Sequence, residues 1–248
     1  MSNIRILTLH FGYSPLPNPD PSEFMGQFSN WPSLEELTIQ MLSFMGPRRT
    51  AIEASPDSNI IPHPESKLKK LAVIGNMIPP QAMAAGLSAL RAPLKVLQLS
   101  SIAMFGPQGV VMSLQLVGKH LNTLEIFNDG RMDVVGSFSE VFFPQLKSLA
   151  PSLQRLYTSK LDFPEQCFSM LPSTLRELRI VGDTMLSAPL VWQGLEKQME
   201  RLNDLKTVEW KSAKDKKEGW GEEEVAQFYA WGTSRFVSIV TRHISDDS

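Results

Sequence analysis

Eight segments of the chain share one spacing: an apolar residue, a second three positions on, and a third, apolar in all but one, two beyond that. They are IRILTL (Ile4, Leu7, Leu9), LEELTI (Leu34, Leu37, Ile39), LKKLAV (Leu68, Leu71, Val73), LKVLQL (Leu94, Leu97, Leu99), LNTLEI (Leu121, Leu124, Ile126), LQRLYT (Leu153, Leu156, Thr158), LRELRI (Leu175, Leu178, Ile180) and LKTVEW (Leu205, Val208, Trp210). An amphipathic helix repeats at three and four, and a half-buried strand alternates strictly, so neither template holds all three positions. A turn running into a short strand does: the first residue drops inward from the turn and the other two face inward from the strand. One such unit cannot cover its apolar side alone. Units must therefore stack with parallel strands and share one interior.

The copies start between residues 4 and 205 at intervals of 22 to 34 residues, a mean of about 29, at the upper end of a leucine-rich repeat. Parallel strands need a return path, usually a helix on the far side. Three segments have that character: residues 79–92 with Met83, Leu87 and Leu90 behind Pro80; residues 107–121 with Val110, Leu114 and Val117; and residues 188–205 with Leu195, Met199 and Leu202, leaving Glu196, Lys197, Glu200 and Arg201 outside. Pro32, Pro93, Pro151 and Pro172 each stand one to three residues before a triplet, where a fixed φ and a missing N–H end a helix and set up an extended approach. The expected fold is α/β: a leucine-rich repeat solenoid, a curved horseshoe with short parallel strands on the concave face and helices or irregular turns on the convex face.

The domain reading follows. Residues 1–211 form about eight irregular repeats, with Pro- and Ser-rich loops after the first and second strands. Residues 212–221 are a charged connector. Residues 222–244 are a C-terminal helical cap, with Val225, Phe228, Trp231, Phe236 and Ile239 on its apolar face and two pieces split near Gly232 and Thr233. Residues 245–248 are a disordered tail. At the other end, residues 4–9 have no polar cap before them, which leaves three alternatives: a truncated product, an edge strand covered by the chain's own early loop, or a second point of contact for a partner.

Totals exclude several classes. Cys167 is the only cysteine, so an internal disulfide and a cysteine-based metal cluster are both ruled out. The net charge of −2 gives no global reason to expect nucleic acid or an anionic membrane as partner. No apolar run is long enough to span a bilayer, no secretory core is present, and no N-x-S/T acceptor occurs. The cytoplasm or nucleus is the expected location.

With the triplets, the preceding prolines and the segment LPSTLRELRI (residues 171–180) in view, the chain resembles the leucine-rich repeat region C-terminal to the F-box in fungal F-box-like proteins. The resemblance covers nearly all of residues 1–211. It implies a substrate-recognition surface of an F-box-type ubiquitin ligase receptor. The F-box itself has no counterpart within the 248 residues, and no adaptor-binding residue carries over. The polar turn residue of such repeats is irregular here: Asn76, Asp129 and Asp183 fit it, whereas Leu42, Ile102 and Leu161 do not.

The outward strand positions are where a repeat protein reads its partner. From the first repeat to the eighth, the central ones are Thr8, Thr38, Ala72, Gln98, Glu125, Tyr157, Arg179 and Glu209, flanked by Glu36, Lys70, Val96, Phe127, Arg155 and Lys211. Gln98, Glu125, Phe127, Arg155, Tyr157 and Arg179 are the candidate partner-binding residues. Phe127 and Tyr157 offer large contact area at small entropic cost, and Arg155 and Arg179 can pair acidic groups. The competing reading is that these side chains only solvate the sheet or stabilise it laterally through Glu125 and Glu177.

Chemistry finds little support. His10, His63, His120 and His243 lack metal-ligand spacing, Cys167 has no nameable base, and no phosphate loop or nucleophile elbow occurs. The expectation is a binding protein without cofactor, metal or catalytic residue. A scaffold with no ligase link, and an α/β enzyme using the loops at 10–30 and 40–67, stand as alternatives.

Overall fold

A computed structural model describes residues 4–11, 33–41, 67–75, 80–88, 90, 93–100, 105–128, 137–159, 161–181, 186–211 and 221–241. Most of the two early loops, His63, His243, residues 212–220, the tail 245–248, Pro32, Asn76, Asp129, Asp183, Leu42 and Ile102 lie outside the described residues.

Every triplet becomes a lead-in and a strand. The strands are β1 (Ile6–Phe11), β2 (Glu36–Met41), β3 (Lys70–Ile74), β4 (Val96–Ser100), β5 (Thr123–Phe127), β6 (Arg155–Ser159), β7 (Glu177–Val181), β8 (Thr207–Lys211) and β9 (Ser238–Thr241). They pair in chain order as one parallel sheet, about 38 Å across at the usual strand spacing. Register never slips: Leu37, Leu71, Leu97, Leu124, Leu156, Leu178, Val208 and Ile239 lie side by side. A repeated backbone clamp fixes it. The carbonyl of the residue just after the lead-in accepts two successive N–H groups from the next unit, as Lys69 does from Lys95 and Val96, and Arg176 from Lys206 and Thr207.

The inward positions are sealed. Lead-in residues Leu34, Leu68, Leu94, Leu121, Leu153, Leu175 and Leu205 are buried together with the strand residues that follow them, each contributing on the order of 2 kcal/mol of transfer free energy. The first coil is the exception. Its lead-in Ile4 is 37% exposed, and Leu7 and Leu9 are only partly buried, because no other unit among the described residues packs on their outer side.

Helices close the far side of this core. The two earlier helices expected from sequence are α1 (Pro80–Ser88), burying Met83 and Leu87, and α2 (Gly106–Val117), burying Val110, Leu114 and Val117 before a 3-10 turn at Gly118–His120. Between β5 and β6 lie α3 (Phe138–Val141) and α4 (Phe143–Leu149), and between β6 and β7 lies α5 (Cys167–Met170). Their rings form an edge-to-face chain, Phe138–Phe142–Phe143–Phe163, which continues from Phe163 to both Phe168 and Trp210. Such aromatic pairs add about 0.5–1.5 kcal/mol each beyond area burial.

Two elements differ from expectation. The third helix, α6 (Ala188–Glu196), ends early and residues 197–201 continue as turns. Arg201 there points inward rather than out, donating to the carbonyls of Phe168 and Leu171. The C-terminal segment is helical only in its first piece, α7 (Glu222–Ser234); the second is strand β9, a ninth unit. Gly232 does not break α7. A Cβ at this position would collide with the Ile239 side chain and the Val237 carbonyl, so glycine is required for α7 to lie tightly on β9.

Candidate functional site

The sheet has a second face, made by the strand residues that alternate with the buried ones. In-register pairing arranges them in rows. The middle row runs Thr38, Ala72, Gln98, Glu125, Tyr157, Arg179, Glu209. Beside it, at the carboxyl ends of the strands, lie Ile74, Ser100, Phe127, Ser159 and Val181. Gln98, Glu125, Tyr157 and Arg179 are thus consecutive neighbours on β4 to β7, with Phe127 and Arg155 in the flanking rows. The fold brings all six candidate residues onto one continuous, half-exposed surface.

Charges on this face are mostly paired within it. Lys70 meets Glu36 at 3.7 Å, Arg155 meets Glu177 at 3.1 Å and Arg179 meets Glu209 at 3.0 Å. The Tyr157 hydroxyl donates to Glu177 at 2.7 Å, and the Arg179 guanidinium sits over the Tyr157 ring, 5.8 Å from its centroid. Burial first, then the hydrogen bond to Glu177 and its charge, push the Tyr157 phenol up to about 12. Lateral pairing therefore operates through Glu177 and Glu209. Glu125, expected to share it, makes no ion pair or hydrogen bond among the described residues. Burial raises its carboxyl above the ordinary carboxylate value, opposed by the more distant charges of Lys70 and Arg179.

A second cluster bridges the lead-ins of the first three strands. Glu35 accepts from Arg5 at 2.8 Å and Lys69 at 3.0 Å, and these hydrogen bonds hold its carboxyl down at about 2. Residues that sequence reasoning did not single out include Asp162, which accepts from the Phe138 N–H (2.9 Å), the Ser139 N–H (3.0 Å) and the Ser137 hydroxyl (2.6 Å). It caps α3 from 25 residues downstream, a distance that carries no local signature.

Among the described residues, no three His, Cys, Asp or Glu side chains converge to hold a metal ion, and no helix is long and apolar enough to cross a membrane. The Cys167 thiol is buried, which together with the charge of Asp162 pushes it up to about 12.

A single-file parallel sheet, buried on one side against helices and open on the other, with one triplet per strand, defines a leucine-rich repeat solenoid. No protein-family model matches the chain, and no curated protein matches it in sequence. Among solved structures it is similar to a chain in the crystal structure of the Rad7 and Elc1 complex in yeast, with a TM-score of 0.52 and 15% identity, over 92% of this chain and 54% of that one. The chain thus spans about half the length of that neighbour. It is also similar to a Bacteroides fragilis protein, with a TM-score of 0.48 and 14% identity, over 90% of this chain and 68% of the other. At 15% identity the likeness to the yeast chain is one of fold.

Proposed function

We propose that the chain is a protein-recognition module that binds through the open, concave face of its sheet, without catalysis and without a cofactor. The observation that carries this reading is the unbroken surface from Gln98 on β4 to Arg179 on β7, which combines two aromatic rings with polar groups on a rigid scaffold. Such a composition suits a binding hot spot, and strand-borne side chains are held more precisely than loop-borne ones. The neighbouring yeast structure is itself a complex of two proteins, in keeping with a binding role. On the resemblance to F-box-like proteins, the finer reading is the substrate-recognition part of a ubiquitin ligase receptor, acting in the cytoplasm or nucleus. The exposed edge at β1 offers a second contact.

The test compares partners captured by the native protein with those captured by a variant carrying Phe127→Ala, Tyr157→Ala and Arg179→Glu. Loss of specific partners from the variant supports the reading. Identical partner sets, with both proteins folded by circular dichroism, would sink it. Ubiquitinated proteins enriched among the lost partners would support the ligase role.

A further inference from the structure

Charge accounting on the open face leaves one remainder. The described side chains there include three cations, Lys70, Arg155 and Arg179, and each is matched to its own glutamate within the face. Glu125 is the fourth glutamate. It lies in the middle strand of the nine, half-buried, with both carboxylate oxygens lacking an intramolecular donor among the described residues. Its carboxylate is partly desolvated, and within the described fold only the more distant charges of Lys70 and Arg179 favour an acid at this position, since Gln98 and Tyr157 on either side give it no ion pair.

The surroundings indicate what would complete it. Phe127 is two residues along the same strand, so its ring projects from the same face. Short Ser100 and Ser159 flank Phe127 in register. Tyr157 lies directly across from Glu125, and Arg179 already sits over its ring. Resting on the protein-recognition reading above, we infer that Glu125, Phe127 and Tyr157 form a receptor for a cationic side chain, arginine in preference to lysine, presented by a partner protein. The carboxylate accepts a charge-assisted, two-pronged hydrogen bond from the guanidinium. The flat cation rests against Phe127, as Arg179 rests against Tyr157. Partners with an acidic residue at this point are rejected, because two carboxylates would face each other at a desolvated site.

The probe is a phage-displayed library of random peptides, selected against the full chain and against two variants, Glu125→Gln and the pair Phe127→Ala with Tyr157→Ala. Native protein should enrich sequences containing arginine or lysine. For the best peptide, Glu125→Gln should weaken binding about tenfold or more. Replacing the basic residue of that peptide by citrulline should cost a similar factor with native protein and little with Glu125→Gln. Enrichment without a basic residue, or a citrulline penalty equal in both proteins, overturns the inference. If those same peptides lose binding to the aromatic pair variant, the open-face reading survives that result. If they bind the folded pair variant undiminished, or no sequence is enriched at all, both fail.

Discussion

Phe236 occupies a position that stereochemistry reserves for glycine. It follows α7 with φ 58°, the one non-glycine at positive φ among the described residues, and its side chain is 94% exposed. Its N–H donates to the Thr233 carbonyl at 3.3 Å, and that of Val237 to the Gly232 carbonyl at 2.8 Å. These two bonds are the Schellman ending of a helix, whose left-handed residue pays no penalty only when it lacks a Cβ. An L side chain there costs roughly 1–2 kcal/mol, and the exposed ring returns no burial. Phe236→Gly should therefore raise stability by about 0.5–1 kcal/mol, the gain being trimmed by the freedom glycine adds to the unfolded chain. Urea unfolding measures this directly; an unchanged or lower midpoint would mean that the ring is held by a contact on the folded protein.

Among elements, those that repeat were legible and those that occur once were not. Leu94, Leu97 and Leu99 announce β4 because seven other segments carry the same offset. The ninth unit was hidden although Phe236, Ile239 and Thr241 carry that offset too: the preceding Phe228 and Trp231 extend a helical period, and the residue that turns inward is Val237, with Phe236 flung out. The short helices α3 and α4 went unread because neither is long enough to show a period, yet Phe138, Phe142 and Leu146 lie at helical spacing across both. The six candidate surface residues were legible as soon as the strands were, since alternation alone assigns the outward set. Their pairings were not, because whether Arg179 turns to Glu125 or to Glu209 depends on three-dimensional geometry. Asp162 was equally invisible, and it carries a prediction. Burial pushes its carboxyl up, but the hydrogen bonds from Ser137, Ser139 and Phe138 prevail and leave it below the ordinary value of 3.8. A depressed folded value means stability that is complete above the unfolded value and lost as pH falls through the folded one. Asp162→Ala should cost about 1 kcal/mol at neutral pH. The difference between native and variant unfolding free energies should shrink below about pH 3.8, and a difference constant down to pH 2 would refute the capping role.

For the whole molecule, stacking in one dimension makes stability depend on having neighbours on both sides. A coil in the middle, such as that of β6, shares its leucines with the coils before and after it. Among the described residues the coil of β1 has a neighbour on one side only, and it shows: Leu7 is only partly buried, while Leu156 at the equivalent position of β6 is fully buried. Opening should therefore begin at the first coil and reach the centre last. Hydrogen exchange read by mass spectrometry should find the amides of β1 exchanging well before those of β5 to β7. Equal protection along the sheet would mean that the molecule opens only as a single cooperative unit.

The constant register across unequal intervals has a further meaning for how this chain tolerates change. Because 22 residues or 34 bring the next strand to the same alignment, length added between coils costs little, while one residue gained inside a strand would turn its leucines to water and its charges to the core. Insertions and deletions are thus free to reshape the rims, and the face between them is left to vary by substitution alone.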